Sequence, residues 1–176
     1  MPSSANGADS DSSATARAMG SSGPPGAAGK GASPVRLEGV TPILRVRSLE
    51  ASTDHYVAVL GFGVDWQVSG FASVSRDGCG IMLCEGDQGF PGTWLWIGVT
   101  DVEPLFEELR ARGAKVRHPP TNHPWAYEMQ IEDPDGHVLR FGSEPKADQP
   151  RGPWLDMRGD LWTTLPDGRQ KRVERG

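Results

Sequence analysis

WAYEMQIEDPDGHVLRFGSE, residues 125–144, decides the fold. Residues 125–131 suit a strand, Asp133-Pro134-Asp135-Gly136 a turn, and residues 138–141 a returning strand. Pro134 sets φ at the first central turn position, and Gly136 closes the turn without a Cβ penalty. Side chains alternate across a strand, so Leu139 and Phe141 point one way and Arg140 the other. The face that takes Arg140 is therefore the one that bears on function.

Outward from this hairpin, residues 41–47 (TPILRVR) alternate as a strand. Ser48 suits the N-cap of a helix over 49–60, which Gly61 ends. Leu49, Tyr56, Val59 and Leu60 give that helix an apolar face. Strands at 62–68, 71–76 and 79–85 follow, separated by Ser69-Gly70 and Asp77-Gly78, both hairpin dipeptides. After a loop at 86–92 the pattern restarts. A strand at 94–100 leads to a helix at 102–112, with Asp101 or Thr100 as cap, Pro104 in its first turn and Gly113 beyond its end. A short strand at 115–117 and the 125–144 hairpin complete it. Val46 and Val99 lie 53 residues apart, as do Leu49 and Val102, while Gly61 and Gly113 lie 52 apart. The prediction is an α+β fold built from one βαβββ module written twice.

The rest of the 176 residues flanks a single core domain at 35–145. Residues 1–34 are Ser, Gly, Ala and Pro almost throughout. Such a stretch buries too little to offset a backbone ordering entropy of ~1–2 kcal/mol per residue, so a disordered tail is expected. The extension at 146–176 carries Trp154, Leu155, Met157, Leu161, Trp162 and Leu165, then Pro166-Asp167-Gly168. A small hairpin protecting a sheet edge is expected there. Neither a secretory signal nor a run of ~18 apolar residues is present, which predicts a cytoplasmic protein without a membrane partner. Residues 35–145 hold 16 acidic and 9 basic side chains, a balance that argues against a nucleic-acid partner. Cys79 and Cys84 face opposite sides of one strand and are expected to be free thiols.

Three stretches in order, LRVRSLEASTDHYVAVLGF, WIGVTDVEPLFEELRARG and PWAYEMQIEDPDGHVLRF, resemble the glyoxalase/bleomycin-resistance/extradiol-dioxygenase (vicinal oxygen chelate) superfamily. The resemblance implies two modules whose strands curl into a cleft, completed in a homodimer. Many enzymes of that superfamily hold a divalent metal with four side chains from four strands. The corresponding positions here are Thr41, Met82, Trp94 and Arg140. Such metals need imidazole, carboxylate or thiolate donors, whereas Trp offers only an N–H and Arg is a permanent cation. No metal, no cofactor and no catalytic residue are therefore expected. Strand parity agrees: with Arg140, Trp94, Trp96 and Met82 in the cleft, the aliphatic residues between them fall under the helices.

What replaces the donors is aromatic. Trp66, Phe71, Trp96 and Trp125 fall where the bleomycin-resistance branch places its ligand-stacking rings. With Trp94 and Arg140 they form the expected ligand-binding set. Glu85, Asp87 and Glu128 are candidates for meeting a cationic group, while Arg45 and Arg140 would suit an anionic or carbonyl-bearing one. His118 and His123 are expected in a Pro-rich surface loop, and His137 beside the turn. Glu107 and Glu108 read as a solvated helix face. The function expected is metal-independent binding of a bleomycin-like or other aromatic drug, by sequestration. The alternative is a metal-dependent lyase or dioxygenase with shifted ligands.

Overall fold

Ser48 and Asp101 start the two helices that anchor the modules. In the structure, a computed structural model describing residues 39–173, the Ser48 hydroxyl accepts the Ala51 N–H at 3.3 Å and Glu85 accepts the Leu49 N–H at 2.6 Å. Helix α1 (Leu49–Ala58) thus has two of its free N-terminal amides satisfied. It ends at Ala58 with Val59 as its cap, short of the expected Leu60, and Gly61 follows at φ 74°. Asp101 accepts the Glu103 N–H at 3.2 Å at the start of α2 (Val102–Ala111), and Gly113 follows its end at φ 81°. The expected tail at 1–34 lies outside the described residues.

Strands β1 (Ile43–Arg45), β2 (Gly63–Val68), β3 (Phe71–Arg76) and β4 (Cys79–Cys84) form one sheet in the order β1-β4-β3-β2. Strands β5 (Trp94–Gly98), β6 (Lys115–Asn122), β7 (Tyr127–Glu132) and β8 (Val138–Ser143) repeat that arrangement as β5-β8-β7-β6. In each sheet the first strand runs parallel to its neighbour and the other pairs are antiparallel. The chain is two similar βαβββ modules of an α+β fold. Asp77 and Gly78 both have positive φ, 50° and 83°, the backbone of a type I′ hairpin turn.

Three expectations change. The first strand contracts to Ile43–Arg45, leaving Thr41 outside it. Strand β6 does not stop at residue 117 but runs through Pro119 and Pro120 to Asn122. It is a sheet edge, and its register shifts between Val116 and His118 and again between His118 and Thr121. The prolines therefore sit where the ladder is already irregular and no N–H is required. In the extension, a single hairpin gives way to three strands, β9 (Trp154–Leu155), β10 (Leu161–Thr164) and β11 (Gln170–Arg172), in the order β11-β10-β9.

The extension does more than border an edge. The Gly152 N–H reaches the Asn122 carbonyl at 2.8 Å on β6, and Asn122 Nδ2 donates to the Lys146 and Gln149 carbonyls at 2.7 and 2.9 Å. Arg117 Nη2 then donates to the Asp156 carbonyl at 2.8 Å, and Gln130 Nε2 to the Leu155 carbonyl at 3.4 Å. Gln130 is the register partner of Arg140. Leu155 thus lies over the face of the second sheet that carries Arg140.

The opposite faces of both sheets share one core with the helices. Leu44, Tyr56, Leu60, Val74 and Leu83 of the first module join Leu109, Met129, Ile131, Leu139 and Phe141 of the second. Burying one such side chain fully contributes about 1.5–3 kcal/mol. The β7–β8 turn fastens the modules together. Asp133 Oδ1 accepts the Asp135 and His137 N–H groups at 2.9 and 2.8 Å, and its Oδ2 accepts the Tyr56 hydroxyl at 3.1 Å. Asp135 takes the Ser52 hydroxyl at 2.7 Å and the Arg47 N–H at 3.0 Å. Asp133→Ala strips the acceptor from three donors at once. Urea unfolding should show a loss of about 2–4 kcal/mol, against a near-neutral effect for the exposed Glu107→Ala.

Candidate ligand-binding site

Strand parity turns Arg140 and Trp96 away from the core face of the second sheet. Leu139 and Phe141 are buried in the core while Arg140 is half-buried on the other face. Leu95, Ile97 and Val99 pack against the core, and Trp96 stands beside Arg140 in the parallel β5–β8 register. The Arg140 guanidinium lies over the Trp96 ring at 5.2 Å and over the Trp94 ring at 6.0 Å. Each such contact contributes about 0.5–2 kcal/mol, more where water is excluded.

Arg140 is not a free cation. Its Nη2 donates to both oxygens of Glu128, at 2.8 and 2.7 Å, and its Nε to Oε1 at 3.2 Å. Glu128 is only 1% exposed. Its Oε2 also accepts the indole N–H of Trp125 at 3.0 Å. A buried carboxylate is stable only when paired and hydrogen-bonded, and this one is engaged on both oxygens. Glu128 is thereby unavailable for a cationic ligand, contrary to its expected role. Glu85 is engaged as well, at the N-terminus of α1.

Trp125 sits in the bend before β7 rather than in a strand. The His123 imidazole stacks on it at 4.9 Å and 12°, and Trp154 of the extension meets it edge-on at 6.3 Å and 76°. Trp154 in turn stacks on Trp162 at 5.9 Å and 16°. The guanidinium of Arg117 lies over Trp94 at 5.2 Å. A Cβ on Gly142 would fall 2.3 Å from the Trp96 ring, so that ring packs directly against bare backbone. A cavity of about 520 Å³ opens between Trp94, Gln130 and Arg140 on one side and Trp154 to Met157 on the other. A more open depression of about 560 Å³ adjoins it, lined by Trp96, Trp125, Arg140, Trp154 and Gln170.

Of the expected set, Trp94, Trp96, Trp125 and Arg140 are brought together. Trp66 and Phe71 are not among them. They stack on each other at 5.9 Å and 8° on the first module's sheet, and among the described residues no ring contact links them to the second group. Sequence reasoning missed Trp154, Gly142 and Arg117. A glycine inside a strand pattern is a signal of close approach, and Gly142 carried it.

The histidines of the expected Pro-rich loop are a further correction, since neither His118 nor His123 lies on the surface. His118, His123 and His137 are all buried, His123 beside the backbone of Gly152 in the extension. His137 is structural: its Nδ1 accepts the Thr93 N–H at 3.1 Å, which leaves Nε2 to donate to the Arg45 carbonyl at 2.8 Å. Burial, the largest influence, pushes the His118 and His123 imidazoles below their ordinary pKa, and the nearby Glu128 charge only partly opposes it.

The four positions where the superfamily's metal ligands would fall do not fit a metal. Thr41 stands outside the strands, Met82 offers a thioether, Trp94 an N–H, and Arg140 a cation already paired with Glu128.

Residues 36–141 match the Glyoxalase/Bleomycin resistance protein/Dioxygenase superfamily model, and the chain belongs to that superfamily. Its solved neighbours include antibiotic-binding proteins. One is the bleomycin-binding protein from bleomycin-producing Streptomyces verticillus, solved with copper(II)-bleomycin, at 27% identity and a TM-score of 0.54, covering 64% of this chain and 99% of that one. Another is TnmS3, an antibiotic binding protein from a Streptomyces species, at 25% identity and a TM-score of 0.55, with the same coverage of both chains. A bleomycin resistance determinant encoded on transposon Tn5 shares the fold at 19% identity and a TM-score of 0.55, covering 61% of this chain and 98% of that one. No curated protein sequence matches. The family match ends at residue 141, before the extension begins. Among the described residues no helix is long and apolar enough to cross a membrane.

Two outcomes test this site. Gly142→Ala should drive the Trp96 ring from its seat, seen as a change in near-UV circular dichroism with the far-UV spectrum unchanged. The imidazoles predict a pH slope. Their folded-state pKa values lie below the ordinary 6.5, so the unfolded chain takes up protons first. The stability that the neutral rings contribute is full above about pH 6.5 and declines as pH falls towards the folded-state values. Asp133, whose pKa burial raises, slopes the opposite way. Thermal melts of wild type and His123→Gln from pH 8 to 5 separate the two, and the variant should show the shallower acid-side loss.

Proposed function

We propose that the protein binds a small aromatic molecule in this cleft, without metal and without making or breaking a covalent bond, and so sequesters an antibiotic or a compound of similar shape. The observation that carries this reading is the cavity of about 520 Å³ between Trp94 and Trp154, whose floor charges are already neutralised by the Arg140–Glu128 pair. Its volume falls within the roughly 300–1,000 Å³ of small-molecule sites. Preorganised rings bind a flat ligand with little entropy to lose, because two χ angles fix each of them. The bleomycin-binding and antibiotic-binding neighbours support the ligand class.

Trp66 and Phe71 belong to the same reading through a second copy of the chain. They are stacked and partly exposed on the first sheet, and a homodimer would set them against the Trp96 side of its partner. The exposed free thiol of Cys79 suits a reducing compartment, the cytoplasm.

Titration with bleomycin, followed by tryptophan emission, tests the reading. Quenching at micromolar ligand is expected, and Trp96→Ala should weaken it about tenfold, the value of one stacked ring with its cation. A silent titration rejects bleomycin as ligand. Stoichiometric metal retained through purification would overturn metal independence, and a monomer by light scattering would overturn the dimer.

A further inference from the structure

We propose that the C-terminal sheet supplies the second wall of the pocket, and that the part of the ligand it encloses is an uncharged, planar ring carrying an N–H or O–H donor. This rests on the aromatic-ligand reading above and narrows it.

The wall is built, not draped. Trp154 is held edge-on by Trp125 and stacked by Trp162, whose indole N–H donates to Asp156 Oδ2 at 3.0 Å. The other oxygen of Asp156 accepts the Arg158 and Asp160 N–H groups at 2.8 and 2.9 Å, closing the β9–β10 turn. Gly152 fits where a Cβ would strike Thr121 at 2.4 Å, which brings the chain close against β6. Each of these contacts fixes Trp154 to Met157 on the far side of the cavity from Trp94.

The ligand class follows from what the pocket leaves open. Arg140 is paired with Glu128, and Arg117 lies 3.7 Å from Glu132 and donates through Nη2 to the Asp156 carbonyl; its Nε has no partner, but Arg117 does not line the cavity. An ionic ligand would have to displace one of these partners. Gln130 differs. It is 3% exposed and lines the cavity, its Nε2 donates to the Leu155 carbonyl, and its Oε1 has no partner. A buried acceptor without a donor is destabilising and rare. A ring bearing an N–H or O–H would satisfy it while stacking beside Trp154. Phe90 and Met157, 81% and 72% exposed, flank the mouth as apolar rims.

The test uses the full-length protein at about pH 9, where both probes are uncharged, with norharmane, a planar tricycle with an N–H donor, and its 9-methyl derivative, which lacks that donor. Tryptophan quenching should show norharmane bound and its methyl derivative weaker by about tenfold, as expected when a buried acceptor is left unpaired. Gln130→Leu should erase that preference. Trp154→Ala should weaken norharmane about tenfold. Met157→Arg, at an exposed position that cannot unfold the chain, should block the mouth and weaken it several-fold. Binding that is lost in Trp96→Ala yet unchanged in Trp154→Ala and Met157→Arg would overturn the extension as a wall and leave the aromatic cleft standing. Failure of the wild type to bind norharmane would overturn the ligand class assigned here, while the bleomycin titration would still decide the broader reading.

Discussion

The Glu128 carboxylate is the constraint on which the cleft depends. At 1% exposure it would be untenable as a lone anion, since stripping water from a carboxylate costs several kcal/mol even after relaxation. It is tolerated because Arg140 meets both its oxygens and the Trp125 indole caps one of them. Those bonds fix the direction of two side chains at once. Arg140, held from β7, is placed over the Trp96 and Trp94 rings, and Trp125, held at its N–H, turns its face to His123 and its edge towards Trp154. One buried acceptor thereby sets the orientation of most of the aromatic surface. Removing either partner would leave a buried charge exposed to its neighbours, which is the costly direction for a pair of this kind.

The modules themselves were legible in the sequence because they are specified locally. Alternation around Arg140, the caps at Ser48 and Asp101, and the Asp77-Gly78 turn each follow from a few adjacent residues. The repeat spacing of 53 then confirmed one module against the other. The site was legible by parity, which sent Trp94, Trp96 and Arg140 to one face. Parity says nothing about who stands opposite. Glu128 pairs in register with Gly142, and it reaches Arg140 on the diagonal across the β7–β8 ladder. That face of the strand carries the carboxylates of Glu128 and Glu132 with the amide of Gln130 between, and only the fold singles out the first.

The misreadings share a physical origin. Pro119 and Pro120 argued for a loop, yet an edge strand with two register shifts has room for residues that donate nothing to a ladder. His123 looks like a surface residue in the sequence, yet Trp125 stacks on its ring and Gly152 of the extension lies against it. In each case long-range packing overrode a local cue, and local cues are all that a single sequence displays.

The extension changes the meaning of the cleft rather than its location. Without residues 146–173, the second sheet would present Trp94, Trp96 and Trp125 on an open concave face. An open face favours large ligands and pays in selectivity, because water competes along the whole rim. With β9 in place, Trp154 faces that surface, Leu155 and Asp156 receive hydrogen bonds from Gln130 and Arg117, and a cleft becomes a cavity. Enclosure also lowers the local dielectric, which strengthens the Arg140–Glu128 pair and raises the cost of any unpaired polar atom. The strand position at which the superfamily's metal donor would fall thus carries a cation tied to a carboxylate two strand positions away on the adjoining β7.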